Sequence, residues 1–190
     1  MKIALFFGSF NPIHNGHIHI ANHIINNGIC NEVWFVVSPL NPMKKNSSLL
    51  DDSIRLQLTK KAINSINNFK ICDIEFSLPK PSYTYNTLNI LKNKYKEHDF
   101  HLIIGGDNFD IFHKWKNHEE IINKFKLIIY PRKNSSIQSS NLPNVIFLDA
   151  SLKNISSTEI RENIKKDKSI YTLVPDCIVD DVIKYYSALL

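Results

Sequence analysis

Short apolar runs rich in branched residues and Phe alternate along this chain with longer amphipathic stretches, the pattern of a parallel sheet covered by helices. The runs at 3–7, 33–37, 70–74, 101–104, 127–130 and 145–148 predict strands. Helical spacing predicts helices over 16–26, where Ile18, Ala21 and Ile25 share a face, and over 52–63, 83–95, 119–124, 157–165 and 176–186. No internal repeat or break separates these segments. The expected architecture is therefore α/β: one Rossmann-like, doubly wound domain over residues 1–190, with a mainly parallel sheet of five to six strands. The stretches 38–50 and 132–143, rich in Ser, Asn, Lys and Pro, read as surface loops able to close over a ligand.

Composition narrows the function classes. With 43% hydrophobic and 22% charged residues, a chain of 190 residues can bury a substantial core and is not of the disordered type. The formal charge of +5 suits a polyanionic ligand, but the lysines are scattered, so no nucleic-acid partner is expected. Cys30, Cys72 and Cys177 form neither a paired framework nor a C-x-x-C motif, which fits a reducing compartment. The first apolar run is too short for a signal sequence, and no segment approaches the roughly 20 apolar residues that span a bilayer. A cytoplasmic protein without a membrane partner is expected, its oligomeric state left open.

In open α/β sheets ligands sit beyond the carboxyl ends of the strands, so the residues just after each strand carry the chemistry. After the first strand comes Gly8-Ser9-Phe10-Asn11-Pro12-Ile13-His14-Asn15-Gly16-His17, then a helix. Gly8 lets a phosphate or backbone approach, and His14 and His17 lie at a helix start, where free N–H groups and the dipole favour anions. Imidazole donors there can follow negative charge as it grows on a transferring phosphate. An isolated H-x-x-H pair is equally explained by a helix cap or a solvent-facing edge. His19 and His23, four apart, could share a metal, but no third ligand is indicated and no metal site is expected.

A second constellation, Ile155-Ser156-Ser157-Thr158-Glu159-Ile160-Arg161, opens a late helix. Ser156 and Glu159 make an S-x-x-E capping box. Arg161 falls on the face of Ser157 and Thr158, at spacings of four and three, so hydroxyls, backbone donors and a guanidinium converge as a phosphate requires. Taken alone, the motif says only that a helix starts there.

Together GSFNPIHNGH and ISSTEIR resemble the nucleotidyltransferase superfamily, whose members carry an (H/T)xGH loop and an ISSTxxR helix start. Ser82-Tyr83-Thr84-Tyr85-Asn86-Thr87-Leu88, Ile104-Gly105-Gly106-Asp107, Trp115 and the tail over 171–186 with Val174-Pro175 extend the likeness across nearly the whole chain. Within the superfamily these segments are similar to the nicotinate-nucleotide adenylyltransferase family. The phosphopantetheine-directed branch typically has Thr where His14 stands and lacks the YT-x-x-TL and Trp combination.

The resemblance implies ATP and nicotinate mononucleotide as substrates, with Mg2+ accompanying ATP. It implies that His14, His17, Arg161 and Lys44 act on the triphosphate, with the backbone of Gly8, Ser9 and Phe10. Gly105 and Asp107 would lie by the adenosine ribose, and Ser156, Ser157 and Thr158 by the triphosphate or adenine. Tyr83, Thr84 and Trp115 would bind the nicotinate nucleotide, Trp115 stacking on the pyridine, and Arg132 would reach its phosphate. Tyr83 and Trp115 are also ordinary core aromatics, and Asp107 an ordinary helix cap. Asn86 stands where the family usually has Asp, Ser9 where Thr is frequent, and Lys133 follows Arg132 where Pro-Gly is common. The acceptor is thus left open between nicotinate and nicotinamide mononucleotide, with phosphopantetheine or a non-catalytic nucleotide-binding module as further alternatives.

Overall fold

The computed structural model describes residues 1–39, 49–132, 142–149 and 155–189. Six parallel strands form one sheet: β1 (Lys2–Gly8), β2 (Glu32–Val37), β3 (Phe69–Cys72), β4 (Asp99–Gly105), β5 (Lys126–Tyr130) and β6 (Val145–Phe147), in the order β3-β2-β1-β4-β5-β6. The sheet reverses its winding between β1 and β4. That adjacency places Gly8 and Gly105, the last residues of two neighbouring strands, side by side at the crevice where such folds bind ligands.

Side chains alternate across a strand, and the two faces separate accordingly. Ala4 and Phe6 of β1 and Val33, Phe35 and Val37 of β2 join one core. It is closed by α1 (Asn15–Asn26), α2 (Asp52–Ile63), α6 (Ser157–Lys165) and α7 (Val179–Ser187). Ile3, Leu5, Trp34 and Val36 point the other way, onto α3 (Thr84–Lys94), α4 (Gly106–Asp110) and α5 (His118–Lys124). Because both faces are covered, the strands read as continuous apolar runs rather than alternating ones. No helix among the described residues is long and apolar enough to cross a membrane.

The structure redraws several boundaries. The expected strand 70–74 ends at Cys72, whose pairing with Val36 is the last rung of that ladder, and Ile74–Ser77 turns into a 3-10 helix. The expected helix 176–186 is a 3-10 turn, Asp176–Ile178, followed by α7. α4 and the 3-10 turn Phe112–Lys114 had no counterpart in the sequence reading, being too short for periodicity to register. Most of the two loops expected to close over a ligand, residues 40–48 and 133–141, lies outside the described residues.

Candidate active site

The loop leaving β1 is pulled tight by its own core packing. Phe10 has φ of 43°, a left-handed backbone that costs a non-glycine residue about 1–2 kcal/mol. Its ring is held against Phe6, Phe35 and His17. A Cβ on Gly8 would come within 2.9 Å of that ring, so the strand end must be glycine. The side chains of Ser9 and Phe10 are buried, which leaves backbone as what they present to a ligand.

His14 is the N-cap of α1, with an extended backbone, and its N–H donates to His17 Nδ1 at 3.2 Å. That bond occupies the Nδ1 lone pair and assigns the proton of a neutral His17 ring to Nε2. The two rings stack with centroids 3.6 Å apart. His14 is only 3% exposed. Burial first, and then the positive charge of Arg132, lower its pKa to about 3, so its ring is neutral at ordinary pH.

The late helix start meets this loop directly. Ser156 caps α6, accepting from the Glu159 N–H at 3.1 Å. Ser157 Oγ donates to the Pro12 carbonyl at 2.9 Å, and Arg161 Nη1 to the Asn11 carbonyl at 2.7 Å, while Arg161 Nη2 reaches Thr158 Oγ1 at 3.2 Å. Two helix N-termini and a guanidinium therefore face one loop, an arrangement that holds polyphosphate.

Arg55, absent from the sequence reading, braces the whole assembly. It is fully buried on α2, and its guanidinium donates to four carbonyl oxygens: Leu50 at 2.8 Å, Ser38 and Pro39 at 3.0 Å each, and Ser9. The phosphate-side loop and both stems of the 40–48 segment hang on this side chain. Asn11 is a second hub: its Oδ1 accepts from the Leu50 N–H at 3.1 Å and from the buried Tyr186 hydroxyl at 2.6 Å. One signal for Arg55 was available, since it shares the α2 face of Leu58, Thr59 and Ala62 at spacings of three, four and seven.

Beside the loop opens a cavity of about 470 Å³ whose wall includes Gly8, Gly105, Tyr83, Thr84 and Trp115. A Cβ on Gly105 would lie 2.6 Å from Asp107 Oδ1, the end of a half-exposed side chain that can turn away, and 3.0 Å from the buried Tyr130 hydroxyl, so a larger residue there would press on Tyr130. Lys114 and Lys116 also line the cavity, the latter with its ammonium 4.6 Å from the Tyr83 ring centre. Tyr130 of the cavity wall meets Arg132, whose Nη2 donates to the Tyr130 hydroxyl at 3.0 Å and whose Nε lies 3.9 Å from Asp107 Oδ1. Asp107 is inside α4 rather than capping it; Gly105 holds the cap position. Lys44 lies outside the described residues.

Comparison with known proteins agrees with this geometry. The cytidylyltransferase-like family pattern matches residues 5–163. A protein of Cytophaga hutchinsonii named "probable nicotinate-nucleotide adenylyltransferase" is 50% identical over 98% of this chain and 99% of its own length. One from Flavobacterium psychrophilum is 47% identical over 92% of both. Among solved structures, the Plasmodium falciparum nicotinic acid mononucleotide adenylyltransferase superposes with a TM-score of 0.82 at 24% identity, covering 98% of this chain and 97% of that one, which establishes the shared fold. From the strand-end loop, the late helix start that meets it and these relatives alike, the chain belongs to the cytidylyltransferase-like family and, within it, to the nicotinate-nucleotide adenylyltransferases.

Proposed function

We propose that this protein transfers the AMP part of ATP to nicotinate mononucleotide, forming nicotinate adenine dinucleotide and pyrophosphate in NAD biosynthesis. The observation that carries the reading is the pair of bonds from Ser157 to Pro12 and from Arg161 to Asn11, which bring two anion-binding helix starts together beside an aromatic-walled cavity. The names of the close relatives supply the substrates.

In this reading a 5'-phosphate oxygen of the mononucleotide attacks the α-phosphorus of ATP in line. A new P–O bond forms, the bond to the β,γ-phosphates breaks, and pyrophosphate leaves. A phosphate monoester is already an anionic nucleophile, so the protein's work is to align two like-charged reactants and to receive charge on the leaving group. The His17 Nε2–H, the neutral His14 ring, the Arg161 guanidinium and the starts of α1 and α6 would serve the triphosphate, joined by Ser156, Ser157, Thr158, Lys44 and the backbone of Gly8, Ser9 and Phe10. Gly105 and Asp107 would flank the adenosine ribose. Tyr83, Thr84 and Trp115 would enclose the pyridine, and Arg132 would stand by the mononucleotide phosphate.

Mg2+ belongs to the proposal as a companion of the triphosphate, neutralising phosphate charge when bound. Among the described residues no three His, Cys, Asp or Glu side chains cluster so as to hold a metal ion. A cytoplasmic setting is also proposed; three unpaired cysteines support it.

Initial rates of pyrophosphate release from MgATP with nicotinate mononucleotide, nicotinamide mononucleotide and phosphopantetheine test the reading. The nicotinate compound should be turned over fastest. Preference for another acceptor would replace the substrate, and nucleotide binding without pyrophosphate release with any of the three would remove the catalytic reading.

A further inference from the structure

Asn15 is the first residue of α1 and stands in the chain between His14 and the Gly16-His17 pair. Its Nδ2 donates to two carbonyl oxygens of a distant segment, Thr172 at 2.8 Å and Val174 at 3.1 Å. Its backbone N–H donates to the carbonyl between them, that of Leu173, at 2.8 Å. The N–H of a first-turn residue is ordinarily left to a cap, to water or to a ligand. Here one residue gathers consecutive carbonyls from 157 to 159 positions away. Two acceptors facing the same end of the amide assign that end as the NH2.

The segment that offers these carbonyls is itself fixed. Ile170, Val174 and Ile178 are buried in the core that also packs Ile20, Ala21 and Ile24 of α1. Thr172 has φ of 72°, a left-handed backbone that a residue with a Cβ keeps only where its surroundings hold it, and such positions gather at functional sites. What Asn15 anchors in turn carries both imidazoles. A Cβ on Gly16 would lie 3.0 Å from the His14 ring, so that ring rests on the backbone next to Asn15. His17 follows one turn on, tied to the His14 N–H and stacked on its ring.

We propose that Asn15 is a positioning residue for adenylyl transfer: its amide fastens the first turn of α1 to residues 172–174, so that the His14 and His17 rings stand at fixed places beside the reacting phosphates. The inference rests on the function read above. Asn15 acts on no reacting atom itself. Its effect passes through the two rings, because a donor aimed at transition-state charge works only where its placement is held, and a displacement of about 1 Å costs on the order of a hundredfold in rate.

A mutant cycle with His17 tests this, read as pyrophosphate release from MgATP and nicotinate mononucleotide, with thermal midpoints measured alongside. Asn15→Leu keeps the shape of the side chain and the backbone bond to Leu173 and removes only the amide. Asn15→Ala removes the side chain, also leaving the backbone bond, so the cycle has a second variant where Leu does not fold. Each should lower kcat about tenfold, with KM for either substrate changed less than about threefold. In a His17→Ala background the same substitutions should cost less than about threefold, because most of what Asn15 aims is already gone. A residue that served the fold alone would cost the same factor in both backgrounds. An unchanged kcat in the folded Asn15 variants, or an equal loss with and without His17, overturns the inference and leaves the function standing. A parent enzyme that releases no pyrophosphate with nicotinate mononucleotide overturns the function, and the inference with it.

Discussion

The Arg161 guanidinium donates to the Asn11 carbonyl at 2.7 Å, joining two positions 150 residues apart in the sequence. With the Ser157–Pro12 bond, it makes one site of two motifs. It also orients the side chain, because Nη1 is committed to Asn11 and Nη2 to Thr158, so the guanidinium plane is fixed before any ligand arrives. Arg161→Ala should lower kcat by on the order of a hundredfold, the usual effect of losing one fixed donor to transition-state charge. Arg161→Lys should recover little, since an ammonium cannot hold Asn11, Thr158 and a phosphate together. Steady-state pyrophosphate release measures both, and a lysine variant near full rate would show that charge alone matters.

His17 donates from Nε2 because its Nδ1 is taken by the His14 N–H. His17→Ala should cost about 3 kcal/mol of transition-state stabilisation, a hundredfold or more in kcat, while the circular dichroism spectrum stays that of the parent. An unaltered rate would remove His17 from the mechanism.

Arg55 predicts a stability effect rather than a purely kinetic one. Replacing it with Met leaves apolar volume similar but orphans carbonyls of Ser9, Ser38, Pro39 and Leu50, each a buried acceptor that must find water or stay unpaired. The expected loss is about 3 kcal/mol or more, read as a lower urea midpoint. Arg55→Lys should not restore it, because one ammonium has three donors and no planar fork. A Met variant as stable as the parent would mean that the loop stems hold themselves.

The residues the sequence revealed and those it hid differ in kind. His14, His17, Ser156 and Arg161 were legible because their chemistry is polar, and Gly8 because it ends a strand; all sit at element boundaries, where local spacing carries the signal. The strands were legible because both faces of the sheet are covered, so Ile3 to Phe6 read as one apolar run. Arg55 was hidden because a single cation on an amphipathic helix looks solvent-facing until tertiary packing seals it. Arg132 and Asp107 were named, but their pairing across Tyr130 depends on the strand order, which one sequence does not display.

The depressed pKa of His14 makes stability depend on pH. In the unfolded chain the imidazole binds a proton near pH 6.5, whereas in the fold it stays neutral down to about 3. Between those values the unfolded state holds the extra proton, so stability is full above about pH 6.5 and is lost as pH falls towards 3. At about 1.4 kcal/mol per pKa unit the displacement is worth a few kcal/mol. His14→Asn lacks this titration. The stability difference between parent and variant, from urea unfolding at a series of pH values, should therefore grow from pH 4 to 6.5 and level off above 7. A difference independent of pH would mean that the buried ring takes its proton as readily as a free one.

Cys30, His101 and Asp99 form a chain that has the order of a nucleophile, a base and an orienting acid: Sγ to Nδ1 at 3.6 Å, Nε2 to Oδ2 at 3.0 Å. Its environment argues against reactivity. Cys30 is 4% exposed, and burial, with the Asp99 charge second, pushes its thiol up to about 12, so at neutral pH almost none of it is the nucleophilic thiolate. Asp99 and His101 lie on the opening residues of β4, at the opposite end of the sheet from Gly105, so the triplet ties strand starts together rather than serving the ligand crevice. Cys72 is buried as well, whereas Cys177 is exposed. In the folded protein an aromatic disulfide reagent should therefore titrate one fast thiol, lost in Cys177→Ser, and all three only after denaturation. If Cys30 reacts in the native state as fast as Cys177, its burial does not protect it and the structural assignment of the triplet fails.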